Sequence, residues 1–149
     1  MHGGYLIKEI KQQNSLQYET DFELAHIIGF NNKTSKCVQA HPIMSDTVIY
    51  AVGGTVIVED LNEKNNQIFF RHALNQISCI RLSNNGKFIA VGFISQILEK
   101  KLPTSIILWE FETKTIIYEF TGITKGVSII EFSPDDRFIS GNYIKFINP

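Results

Sequence analysis

Shifted against itself by 50 positions, the middle of this chain matches itself, and that self-similarity constrains the fold more than any single motif. Thr55-Val56-Ile57-Val58 falls on Ser105-Ile106-Ile107-Leu108, Asp60-Leu61 on Glu110-Phe111, Lys64 on Lys114 and Phe70 on Phe120. Ile77-Ser78-Cys79-Ile80 falls on Val127-Ser128-Ile129-Ile130, Ser83 on Ser133, and Lys87-Phe88-Ile89 on Arg137-Phe138-Ile139. The register holds without a gap from Thr55 to Val91. Chance alternation of apolar and polar residues does not keep strands and turns in phase over 37 positions.

Inside the repeat, short apolar runs alternate with polar turn clusters. Strands are predicted at 24–30, 47–52, 55–59, 67–70, 77–82, 87–91, 105–111, 115–120, 127–132 and 137–139. Gly53-Gly54 signals a tight hairpin. Asn62-Glu63-Lys64-Asn65-Asn66, Ser83-Asn84-Asn85-Gly86, Glu112-Thr113-Lys114 and Ser133-Pro134-Asp135-Asp136 are turns. This spacing indicates an antiparallel all-β fold, and four strands per repeat of this length make a β-propeller blade. The repeat is longer than a lean blade, and the surplus is an insertion over 93–104 that carries Glu99-Lys100-Lys101 and Pro103. Added loop length costs little closure entropy.

The expected organisation is an N-terminal arm over 1–20 and a partial propeller over 21–149, with blades at about 36–70 and 77–120 and the opening strands of a third in 127–149. Within the arm, residues 8–13 suit one or two helical turns, with Leu6 and Ile10 on one face. Two blades and part of a third do not close a ring, so an open blade face that needs cover is expected.

Composition narrows the function classes. Apolar residues make up 44% and charged residues 19%, which is globular rather than disordered. A net charge of −1 argues against binding driven by a general phosphate or membrane field, so neither nucleic acid nor membrane is an expected partner. No apolar run approaches the ~20 residues that span a bilayer. Cys37 and Cys79 stand alone and read as reduced core thiols of a cytoplasmic protein. His26 and His41 lack zinc-ligand spacing, and no phosphate-binding glycine loop occurs. No constellation of nucleophile, base and orienting group is evident, so neither an enzyme, a cofactor nor a small-molecule substrate is expected.

Ile107-Leu108-Trp109-Glu110 ends a third strand and resembles the Trp-Asp dipeptide of WD repeats, with Glu for Asp. Trp109, the sole tryptophan, is expected between blades as packing. Arg71-His72 stands where WD repeats carry Gly-His. The usual hydrogen-bond partners of that histidine are incomplete here, because Val91 occupies the strand position and the insertion replaces the turn. His72 therefore needs another partner or is solvated. Gly53, Gly54, His72, Trp109 and Glu110 are the expected structural blade positions.

Taken in order, Ile28-Gly29-Phe30-Asn31, His41-Pro42, Val48-Ile49-Tyr50, Gly53-Gly54-Thr55-Val56, Arg71-His72, Ile77-Ser78-Cys79-Ile80, Gly86-Lys87-Phe88-Ile89-Ala90, Ile106-Ile107-Leu108-Trp109-Glu110 and Phe132-Ser133-Pro134-Asp135-Asp136 resemble the WD-repeat family of cilia- and flagella-associated protein 52. The resemblance covers about Glu23 to Ser140. It implies a structural protein of motile cilia, within the lumen of the doublet B-tubule, that touches tubulin and other luminal proteins and catalyses nothing. Lys100 and Lys101 are then candidate contacts to acidic tubulin loops. A generic WD-repeat adaptor of a soluble cytoplasmic complex is the competing reading.

Overall fold

The computed structural model describes residues 4–9, 22–30, 35–63, 66–72, 76–94, 104–123 and 126–143. Two four-stranded meanders dominate it. Blade 1 comprises β3 (Val38–Ala40), β4 (Thr47–Val52), β5 (Thr55–Asp60) and β6 (Gln67–Arg71), paired in that order. Blade 2 comprises β7 (Gln76–Leu82), β8 (Phe88–Ile94), β9 (Thr104–Glu110) and β10 (Ile116–Ile123). A third sheet holds β11 (Val127–Phe132) and β12 (Ile139–Tyr143), and a separate ribbon holds β1 (Gly4–Glu9) and β2 (Phe22–Ile28). Every described strand pair is antiparallel. A single 3-10 turn, Ser35–Cys37, is the only helical element among the described residues.

Alternation along each strand sends side chains to two different neighbours. In blade 1, Ile49, Ala51, Val56, Val58 and Phe70 join Ile77, Ile89, Val91, Ile107 and Trp109 of blade 2 in one buried cluster. The other face of blade 2 places Cys79, Ala90 and Ile106 against Val127 and Ile130 of β11. Blade 2 is thus covered on both sides, and β8 is buried from Ile89 through Phe93. Each such aliphatic side chain removed from water contributes roughly 1.5–3 kcal/mol. Gly92 sits at the tightest approach: a Cβ there would lie 2.6 Å from Cβ of Val127. The backbones of the two sheets meet closely only because that position has no side chain.

The 50-residue offset reappears in the hydrogen bonds. In the turn 83–88, Ser83 Oγ meets Asn85 Oδ1 at 2.7 Å and accepts the Phe88 amide at 2.9 Å. In the turn 133–138, Ser133 Oγ meets Asp135 Oδ1 at 2.6 Å and accepts the Phe138 amide at 3.0 Å. Gly86 and Asp136 share the left-handed backbone position, at φ 70° and 58°. The two turns are copies of one structure.

Several boundaries move. β2 begins at Phe22 rather than Leu24, β10 runs to Ile123, and β12 starts at Ile139 rather than Arg137. Phe93 and Ile94 belong to β8 and Thr104 to β9, so the insertion is shorter than 93–104. The helical turns expected at 8–13 are not found where the structure is described: Lys8 and Glu9 lie in β1, paired with Glu23 and Phe22. Gly4-Tyr5-Leu6-Ile7 has β-favouring residues and an antiparallel partner in β2, and that long-range pairing overrides the weak local helix signal. Residues 10–13 lie outside the described residues.

Candidate interaction site

The seam between blades 1 and 2 is aromatic. Trp109 is 3% exposed and meets Phe70 edge-on at 6.1 Å between ring centroids. Phe111 lies 5.8 Å from Phe70, and His41 lies 5.0 Å from Phe111. His72 is exposed and approaches Trp109 edge-on at 6.3 Å, so its described ring contact is the indole. Val91, at the strand position where WD repeats place a hydroxyl, is fully buried instead. Glu110, in the place of the WD aspartate, accepts the Thr113 hydroxyl at 2.6 Å and so braces the β9–β10 turn. Gly53 opens the β4–β5 hairpin at φ 60°, with Gly54 beside it, and its carbonyl accepts the Ile77 amide of blade 2 at 2.8 Å. Lys100 and Lys101 lie outside the described residues.

Hydrogen bonds add to this packing across each seam. Gln39 of β3 accepts the Leu82 amide of β7 at 3.1 Å. Ser78 donates to the Val127 carbonyl at 2.6 Å, and Arg81 pairs with Glu131 at 2.9 Å. At the turn end, the Asp136 carboxylate accepts the backbone amides of Asn84 and Asn85 and the Asn84 side-chain amide, each at 2.8 Å. Desolvation pushes the Asp136 carboxyl up, but these bonds together outweigh it and hold it below its usual range. Ser133 and the Arg137 amide hold Asp135 low in the same way. Sequence reasoning recognised Ser133-Pro134-Asp135-Asp136 as a turn and missed that it grips its neighbour.

A second polar group joins the ribbon to blade 1. Gln67 Oε1 accepts the Ile27 amide at 2.9 Å, and Gln67 Nε2 lies 3.2 Å from the Ile27 carbonyl and 3.0 Å from the Tyr50 hydroxyl. Tyr50 donates to Glu59 at 2.6 Å. Burial, with Glu59 beside it, pushes the Tyr50 phenol up, so it stays a hydrogen-bond donor.

Among the described residues no group of three His, Cys, Asp or Glu is placed to hold a metal. Burial raises the Cys79 thiol to about 11, the opposite of an activated nucleophile. One described cavity, of about 150 Å³, lies between Lys36, Gln39, Arg81 and Glu131. It is below the ~300 Å³ at which small-molecule pockets begin. No described helix is long and apolar enough to cross a membrane.

No family model matches the chain. Among curated proteins it is similar to cilia- and flagella-associated protein 52 of Chlamydomonas reinhardtii, 31% identical over 117 residues, which is 78% of this chain and 18% of that protein. The Mus musculus protein of that name is 30% identical over 119 residues, or 80% of this chain. The chain is a relative of the WD-repeat family of cilia- and flagella-associated protein 52. It spans about a fifth of the length of these relatives. Cilia- and flagella-associated protein 57 C of Tetrahymena thermophila matches half of the chain, at 32% identity over 75 residues. Among solved structures, a chain in the crystal structure of the mitotic checkpoint complex superposes at TM-score 0.52 and 13% identity, covering 89% of this chain and 43% of that one. At that identity the likeness concerns the fold, a β-propeller here incomplete. The cilia- and flagella-associated protein 52 family thus supplies the kinship, and the blades supply the architecture.

Proposed function

We propose that this chain is part of an interaction scaffold of motile cilia and flagella, and not an enzyme. The observation that carries the reading is the similarity to cilia- and flagella-associated protein 52 over about four fifths of the chain. The geometry supports it: the polar clusters described join blades and turns, and strand edges and loops remain for partners, which is how propellers meet them.

In finer detail, the chain sits in the axoneme as a microtubule inner protein, against the luminal wall of the doublet B-tubule, with tubulin and other luminal proteins as partners. A net charge of −1 gives no long-range attraction to acidic tubulin, so the contacts depend on shape and short-range complementarity and weaken little with salt. Lys100 and Lys101 are proposed contacts. Stepwise salt extraction of axonemes tests the placement. The protein is expected to remain with the doublets through moderate salt and to leave only when the tubules are disrupted. Release by mild salt together with the dyneins places it outside the lumen.

A further inference from the structure

The two seams of blade 1 are built differently. The repeat places Glu59 of blade 1 at the position of Trp109 in blade 2. Where Trp109 packs on Phe70 of the preceding sheet, Glu59 faces the preceding ribbon and holds a hydroxyl and an amide. Gln67 stands opposite Glu59 in the β5–β6 ladder, and Tyr50 lies diagonally across the β4–β5 ladder, so all three share one face. Against that face, Gln67 grips both the amide and the carbonyl of Ile27, the pair of bonds that a neighbouring strand would make. Ile27 is 1% exposed, so these backbone groups have little water to turn to. Four groups lie within 3.4 Å of Gln67 Nε2: the Ile27 carbonyl, Tyr50 Oη, Glu59 Oε2 and His26 Nε2, the last an acceptor in one of its tautomers. The amide has two hydrogens, so two of the four go without it at any moment.

We infer that Gln67 is the positioning residue that seats the β1–β2 ribbon on blade 1 as a strap, and that this seam is where the molecule opens first. The ribbon pairs only within itself among the described strands, so no sheet ladder ties it to blade 1. Among the described residues, beside the buried Ile27 side chain, its hydrogen bonds to blade 1 run from one side chain to the backbone of one residue. The seam between blades 1 and 2 instead buries Phe70, Val91, Ile107 and Trp109 in a shared core. A hydrogen-bonded seam exchanges its bonds for water at small net cost, whereas an aromatic seam must expose apolar area to open.

Amide hydrogen exchange on the full chain tests the strap. In the wild type, amides of Phe22–Ile28 are expected to exchange faster than those of Phe88–Ile94. Gln67→Met keeps the length of the side chain without its bonds, and is expected to speed exchange of Phe22–Ile28 about tenfold with Phe88–Ile94 unchanged. Gln67→Glu sets two carboxylates side by side and is expected to speed it more. Adding Glu59→Gln to Gln67→Glu removes the repulsion, keeps an acceptor for the Ile27 amide, and is expected to restore most of the protection. Unchanged exchange of Phe22–Ile28 in Gln67→Met overturns the inference. So does equal acceleration of Phe88–Ile94, or a double variant no better than Gln67→Glu alone.

Discussion

At the scale of single residues, one position decides the character of each seam. Trp109 fills the space between blades, and its neighbours Phe70 and His72 are both presented edge-on. Edge-to-face pairs gain beyond area burial, because the positive ring edge meets the negative face. Trp109→Ala is therefore expected to cost roughly 3–5 kcal/mol, by loss of transfer energy and by the cavity left behind. Denaturant melts of wild type and variant measure this. A loss under about 1 kcal/mol would mean that the indole contributes no core packing. The sequence announced Trp109 through its place in the repeat. Glu59 lies 50 positions before Trp109, but nothing in the sequence singled it out, and its partners were not readable. Gln67, Tyr50 and Ile27 come together only through strand pairing and the seating of β2, and no local pattern encodes that.

Among the elements, the turns that connect first and second strands act as clasps between sheets. The turn at Gly86 presses against His41 of the preceding blade, where an added Cβ would come within 2.6 Å of the His41 ring. The same turn is gripped from the other side by Asp136. The Asp136 carboxyl is held below its ordinary value in the folded chain. A depressed carboxyl stabilises the fold above its unfolded value, and that stabilisation is lost as pH falls through the folded value. Asp136→Asn, which tolerates the left-handed backbone at this position, is expected to lower the thermal midpoint by a few degrees at neutral pH, with the gap to wild type closing as acid protonates Asp136. Thermal melts at a series of pH values check this, and a gap that stays constant into acid removes the carboxylate from the explanation. These turns were legible as turns because Ser, Asn, Asp and Gly recur at fixed positions. Of the ribbon only β2 was legible; β1 was not, because it lies outside the repeat and has no apolar alternation long enough to outweigh a helical reading.

For the whole molecule, the last strand of blade 2 poses the main physical problem. Phe70 of β6 is 3% exposed because blade 2 lies over it, whereas its repeat counterpart Phe120 of β10 is 39% exposed. Tyr118 packs on Phe120 at 4.6 Å and is itself 57% exposed, and Ile116 and Ile117 are exposed beside them. β10 pairs with β9 on one edge and with no described strand on the other. An apolar strand with a free edge is a template for association, and the sheet of β11 and β12 covers the inner part of blade 2 and reaches β10 at Ile123, leaving Ile116, Ile117, Tyr118 and Phe120 exposed. The 149-residue chain on its own is thus expected to self-associate at about tens of micromolar, a range in which exposed strand edges pair. Tyr118→Lys with Phe120→Glu places charge on the uncovered face, where the two rings stand opposite Leu108 and Ile106, and breaks the apolar stripe without touching the buried clusters. The double variant is expected to scatter light as a monomer with an unchanged thermal midpoint. If the wild type is already a monodisperse monomer at those concentrations, the β10 face is not an adhesive surface, and the cover that the repeat leads one to expect over Phe120 is not needed for solubility.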